Sequence, residues 1–90
     1  MNLKHIRNEI DGIDDKINEL FQRRMVLVRD AAKLKSEDVM PVQNLKRENE
    51  IIIRVTAGQS SETAGFTRAL FNAVFEISRA YQSGLRSDHS

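Results

Sequence analysis

The chain has 90 residues, of which 40% are hydrophobic and 30% are charged, so we expect one small folded domain and no second one. Its 14 basic and 13 acidic residues give a formal charge of +1, which argues against nucleic acid or an anionic membrane as a partner. The absence of cysteine excludes disulfides, thiolate nucleophiles and cysteine-ligated zinc or iron–sulfur sites.

The first predicted element is one long helix. Apolar residues recur in steps of three and four from Leu3 to Leu34, and a single glycine, Gly12, interrupts a stretch of good helix formers that has no proline. This spacing is the period of an α-helix with one apolar face. A helix of about 33 residues is about 50 Å long.

The second predicted element is a helix of about 15 residues, again identified by its period. Pro41 suits its first turn, because a proline there loses no hydrogen bond, and the helix is expected to end near Gly58. Most of its apolar residues describe one face: Val42, Leu45, Ile52 and Val55.

The third predicted element is a helix of about 23 residues with the same spacing. Ser60 or Ser61 can cap its N-terminus, and Glu62 lies near the positive end of the helix dipole. Gly84 is a natural C-terminal stop. The domain is therefore predicted to cover residues 1–84, followed by a polar tail at residues 85–90.

Together these elements predict an all-α fold with three helices per chain. A first helix about 50 Å long overhangs helices of about 22 Å and 35 Å, so its apolar stripe would face water in a monomer. A symmetric homodimer in which the long helices pair would cover the stripe. A plain three-helix bundle with a broken first helix is the alternative.

Three basic residues of the first helix are candidate anion-binding groups. Arg24 occupies a core position of the apolar stripe, where a guanidinium is costly unless it meets an anion, although it could also reach the bundle edge or pair with an acidic residue. Lys35 projects from the same face, about 16 Å along the helix. Arg7 is about 25 Å and about 100° away from Arg24, so it could share a small ligand with Arg24 only from a second subunit.

The later helices carry two polar groupings. Asn44, Arg47 and Glu48 share one face of the second helix, and Ser78 and Gln82 are four residues apart on the third. Taken one by one, they could equally be a solvated charge run and boundary residues of a packed face.

Several other site classes have no support in the sequence. His5 and His89 lack a metal-ligand spacing, and the glycine-rich and nucleophile motifs of nucleotide-binding folds and hydrolases are missing, so we expect no metal and no cofactor. The longest purely apolar run, at residues 25–28, is far short of the roughly 20 residues that span a bilayer, and the N-terminus lacks a signal-peptide core. We expect a cytoplasmic protein with no membrane partner.

The polar positions taken together resemble the all-helical AroQ class of chorismate mutases. The resemblance covers residues 3–82 and rests on an ordered set of motifs: Ile6-Arg7, Ile13-Asp14, Arg23-Arg24, Lys33-Leu34-Lys35, Pro41-Val42, Arg47-Glu48 and Glu76-x-Ser78-x-x-x-Gln82. It implies an intertwined homodimer of three-helix chains with two equivalent sites, in which a small dicarboxylate, chorismate, rearranges to prephenate.

The resemblance also implies roles for individual residues. Arg24 and Arg7 of the partner subunit would hold the two substrate carboxylates, with Ser78 assisting one of them. Lys35 and Gln82 would donate hydrogen bonds to the ether oxygen whose C–O bond breaks.

The remaining implied roles concern the hydroxyl end of the substrate. Glu48 would bind the hydroxyl and Arg47 would line the site. Asn44 stands where the family usually has an aspartate, which leaves its role and the fine substrate preference open.

Three other functions remain compatible with the sequence. An isochorismate pyruvate-lyase shares this fold and the same arginines and lysine, and the segment 36–43 together with Asn44 could distinguish it from a mutase. In a non-catalytic helical dimerisation module, Arg24 and Lys35 would only face solvent or acidic residues. The third function is a regulatory domain whose catalytic partner is a separate chain.

Overall fold

The chain, seen in a computed structural model, is described for residues 2–35 and 44–87, and these residues form three helices. They are α1, Leu3–Lys35; α2, Leu45–Thr56; and α3, Ser61–Ser87. The all-α prediction is confirmed for this part of the chain, which contains no strand. None of these helices is long and apolar enough to cross a membrane.

Helix α1 has the predicted extent of 33 residues. The Asn2 side chain caps its start by accepting a hydrogen bond from the His5 backbone N–H at 2.9 Å. The helix continues without a break past Gly12, which keeps a negative φ. The alternative of a bundle with a broken first helix is therefore wrong.

Helix α2 is shorter than predicted, with 12 residues. Asn44 has extended backbone angles (φ −124°, ψ 91°), and its side chain accepts a hydrogen bond from the Arg47 backbone N–H at 3.0 Å. An N-cap residue is non-helical, so α2 does not include Asn44. The prediction of a helix that begins at Pro41 and continues through Asn44 was therefore wrong. Pro41 itself lies outside the described residues. The helix ends at Thr56, close to the predicted end.

The connection between α2 and α3 is a tight turn. Gly58 has φ +78°, a left-handed conformation that glycine adopts without steric cost. Ser60 caps α3, as predicted, because its hydroxyl accepts a hydrogen bond from the Thr63 backbone N–H at 3.2 Å. The Gln59 side chain accepts a hydrogen bond from the Thr67 hydroxyl at 2.8 Å and ties the turn to the first part of α3.

Helix α3 is longer than predicted, with 27 residues. It passes through Gly84, which has no positive φ, and ends at Ser87. A glycine stops a helix only where the chain turns into the left-handed region, and in a helix interior it merely costs about 1 kcal/mol. The predicted helix end at Gly84 was therefore wrong.

Helix α3 packs against both α1 and α2, whereas α1 and α2 do not pack against each other within the described residues. The molecule measures 55 × 26 × 15 Å, too thin to enclose a core. The buried apolar side chains of the described part are few: Ala32, Ile51, Ala64 and Phe75. By contrast, the apolar stripe of α1 is exposed, at Leu3, Ile6, Ile10, Ile13, Ile17, Leu20, Leu27 and Leu34.

Candidate active site

The three helices surround a cleft of about 300 Å³, a volume suited to a small molecule. Residues of all three helices line the cleft, and α3 packs against both α1 and α2. Its walls combine apolar and polar side chains: Leu27, Val28, Ala31, Ile51 and Phe75, with Arg24, Asn44, Arg47, Glu48, Ser78, Arg79 and Gln82.

Helix α1 contributes the half-buried Arg24, and two contacts hold its guanidinium. Its Nη1 donates a hydrogen bond to the Ser78 hydroxyl at 2.8 Å, and that hydroxyl donates in turn to the Val74 carbonyl at 2.8 Å. The guanidinium carbon also lies 5.9 Å from the centre of the Phe75 ring, within the range of a cation–π contact. The guanidinium is therefore oriented by the protein itself.

The electrostatics of the cleft favour an anion. Burial lowers the pKa of Arg24 below its ordinary value, and the nearby positive charge of Arg47 lowers it further. Arginine stays protonated at neutral pH despite such a shift. The burial of this charge and its repulsion by Arg47 therefore destabilise the folded protein. A bound anion would relieve this destabilisation, because it would neutralise the repulsion between the two guanidinium groups.

Helix α2 presents its N-terminal turn to the cleft. The Asn44 cap precedes the helix, which begins at Leu45, and the first turn of the helix brings Arg47 and Glu48 to the cleft lining. Glu48 is half-buried, and its Oε2 accepts a hydrogen bond from Arg79 Nη1 at 2.8 Å. Asn44, Arg47 and Glu48 all line the cleft, although Asn44 caps α2 and is not part of the helix.

Helix α3 contributes two buried polar side chains, Ser78 and Gln82, which are 6% and 9% exposed. Their spacing of four residues places both on the face that lines the cleft. Buried polar groups need partners. Ser78 has Arg24 and Val74, while the Gln82 amide offers donors that a ligand in the cleft could use.

Two predicted site residues do not belong to the described cleft. Arg7 is exposed on the first part of α1, away from the cleft lining, as the distance of about 25 Å along one helix requires. Lys35 is the last residue of α1, and its side chain lies outside the described residues, so its role stays a prediction.

Comparison with known proteins identifies the family. The family model for chorismate mutase type II matches residues 6–83, nearly the whole chain. The chain belongs to the chorismate mutase type II family.

A chorismate mutase from Methanocaldococcus jannaschii is 38% identical over 53 residues, which are 59% of this chain and 54% of that protein. The match thus spans about half the length of the relative. No solved structure matches the chain.

This member of the chorismate mutase type II family has a cleft residue that sequence reasoning missed. Arg79 lines the cleft and pairs with Glu48. The two residues are 31 positions apart in the chain, and no local pattern links them. The one local signal is that Arg79 directly follows Ser78 in the sequence.

The described residues contain no group of three or more His, Cys, Asp or Glu side chains that could hold a metal ion. The cleft offers cations, amides and hydroxyls instead. These groups can bind carboxylates and donate hydrogen bonds to an oxygen that gains charge.

Proposed function

We propose that this protein is a chorismate mutase, an isomerase that converts chorismate to prephenate in aromatic amino-acid biosynthesis in the cytoplasm. The observation that carries the proposal is the pairing, in one cleft, of a half-buried, preoriented Arg24 with the buried neutral donor Gln82. Family membership supports the same reaction.

The first task of the site is to hold a flexible dicarboxylate. Arg24 is oriented through Ser78, and its planar fork matches a carboxylate with two parallel hydrogen bonds. Held at both carboxylates, the enolpyruvyl side chain of chorismate would lie over the ring in a near-attack conformer. The rearrangement is unimolecular and forms no bond to the protein, so the cleft needs no nucleophile.

The second task is to stabilise the charge that develops as the C–O bond of the ether stretches. The Gln82 amide and the Lys35 ammonium are the donors we assign to that oxygen. Such donors act more strongly on the transition state than on the ground state. Loss of one donor of this kind typically costs about 3–4 kcal/mol.

The third task is to recognise the substrate's hydroxyl, which we assign to Glu48. Its carboxylate accepts hydrogen bonds and retains acceptor capacity beyond the one it receives from Arg79. Arg47 would line the same end of the cleft. The apolar wall of Ile51 and Phe75 would contact the ring.

We further propose that the working unit is a homodimer. The exposed apolar stripe of α1 is longer than either other helix, and a second copy of α1 would cover it. The same pairing would bring Arg7 of the partner subunit toward the cleft, where it would bind the second carboxylate. Each dimer would then contain two equivalent sites.

The test is to incubate the purified protein separately with chorismate and with isochorismate. We expect chorismate to disappear and prephenate to form. Pyruvate release from isochorismate, with chorismate unchanged, would instead identify an isochorismate pyruvate-lyase. If neither substrate reacts, the proposal is wrong and a non-catalytic dimerisation module is favoured.

A further inference from the structure

One ion pair in the cleft has no assigned role. Arg79 Nη1 and Glu48 Oε2 are 2.8 Å apart, and the side chains of Arg79 and Glu48 are only 31% and 20% exposed. The pair joins α3 to α2, and both residues line the cleft. The pair therefore includes the proposed hydroxyl-binding carboxylate and is partly shielded from water.

We propose that Arg79 is a positioning residue, which holds the Glu48 carboxylate in the orientation that accepts the substrate's hydroxyl; this inference rests on the proposed function. A glutamate side chain has several rotamers, and ordering a long side chain costs conformational entropy on binding. An ion pair formed before the substrate arrives has already met that cost. A single bond to Oε2 also leaves lone pairs on both oxygens for the hydroxyl.

The carboxylate of Glu48 accepts the charge-assisted bond from Arg79, and a carboxylate is an acceptor only. A hydroxyl that donates would be bound, and a ligand without the hydroxyl would gain nothing from the pair. Arg79 thus acts on specificity at one end of the substrate. Arg24 is bonded to Ser78 rather than to Glu48, so it does not duplicate this function.

The competing explanation is that the pair only ties α2 to α3. The two explanations differ in what Arg79→Gln does to two ligands. We would use a bicyclic ether dicarboxylate that mimics the transition state, and the same compound with its hydroxyl replaced by hydrogen. Calorimetric titration would give the dissociation constant of each ligand for the wild-type protein, for Arg79→Gln and for Arg79→Lys.

We expect Arg79→Gln to weaken binding of the hydroxyl-bearing mimic about tenfold, which is a typical loss for a partly exposed charge-assisted bond. The same substitution should change binding of the deoxy mimic less than about twofold. Arg79→Lys retains the charge and should recover part of the loss. Arg68→Gln is the matched control, because Arg68 is an exposed arginine of the same helix outside the cleft lining; it should change neither affinity.

The same titrations on Glu48→Gln complete the test. If Arg79 acts through Glu48, adding Arg79→Gln to Glu48→Gln should cost less than about twofold further. Equal weakening of both mimics by Arg79→Gln, or full additivity with Glu48→Gln, would overturn the positioning role while leaving the proposed function intact. Failure of the wild-type protein to bind either mimic would overturn the proposed function, and the positioning role with it.

Discussion

At the scale of single residues, Arg24 is the clearest case of a charged group whose burial opposes folding. Its guanidinium occupies a core position of the α1 stripe and is half-buried, and its pKa is lowered first by burial and then by Arg47. Replacement of such a charge by an apolar side chain of similar volume is often neutral or stabilising. A ligand-binding role for Arg24 therefore predicts that its removal costs activity but not stability.

Arg24→Leu should accordingly keep or raise the thermal midpoint while it reduces kcat/KM by at least about 100-fold, the usual scale for loss of a key charge-binding group. Arg24→Lys should also be poor, because an ammonium cannot make the bidentate carboxylate contact. Thermal melts and kinetics of both variants provide the measurement. A parallel loss of stability and activity in Arg24→Leu would favour a purely structural role for Arg24.

Gln82 is predicted to act as a neutral donor. Gln82→Glu should be active only while the introduced carboxyl is protonated, since an ionised carboxylate accepts instead of donating and repels the charge that develops on the ether oxygen. Activity of the variant should therefore be present at low pH and be lost as the pH rises, whereas the wild-type rate should be nearly flat around neutrality. A variant as active as the wild type at pH 8 contradicts the assignment.

At the scale of elements, the ends of α2 and α3 matter because they place the site. The Asn44 cap satisfies a backbone donor of α2 directly beside Arg47 and Glu48. Asn44→Ala should lower the free energy of unfolding by about 1 kcal/mol, and Asn44→Asp should leave it unchanged or slightly higher, because aspartate caps as well as asparagine and suits the helix dipole. Urea denaturation of the two variants measures this, and equal effects would exclude a capping role.

The corrected end of α3 gives a second prediction at this scale. A Cβ at Gly84 would meet nothing within 4 Å, so Gly84→Ala should raise the free energy of unfolding by up to about 1 kcal/mol. Gly58→Ala should lower it, because Gly58 has φ +78°. If Gly84→Ala also lowers the free energy of unfolding, α3 ends at Gly84.

At the scale of the whole molecule, the decisive question is whether each site is built from two chains. Arg7→Ala and Lys35→Ala should each be nearly inactive as homodimers, because every site then lacks one cation. The two variants can then be unfolded together and refolded in equal amounts. Random pairing makes half of the dimers mixed, and each mixed dimer has one complete site.

About a quarter of the wild-type activity should therefore return in the mixture, since half of the dimers regain one of their two sites. Mass spectrometry shows whether mixed dimers form. If they form without any recovery of activity, Arg7 acts in its own chain or has no role. Refolded mixtures of Arg7→Ala with itself are the control.

The sequence by itself determined the helical class and grouped several of the residues that line the cleft. A period of three and four over more than thirty residues is compatible only with a helix, and α1 contains no residue that would break it. Spacing alone also grouped Ser78 with Gln82, and Asn44 with Arg47 and Glu48, because residues three or four positions apart share a helix face. The roles of Arg7 and Lys35 stay predictions.

Only the tertiary structure decided how these faces meet. Pro41 and Asn44 are both locally favourable ways to begin a helix, and Asn44 is the residue that caps α2. A glycine such as Gly84 can lie inside a helix or end one, so the local sequence did not predict whether α3 continues past it. The Glu48–Arg79 pair joins residues 31 positions apart, and such a contact depends on the rotation and approach of two packed helices, which no local pattern encodes.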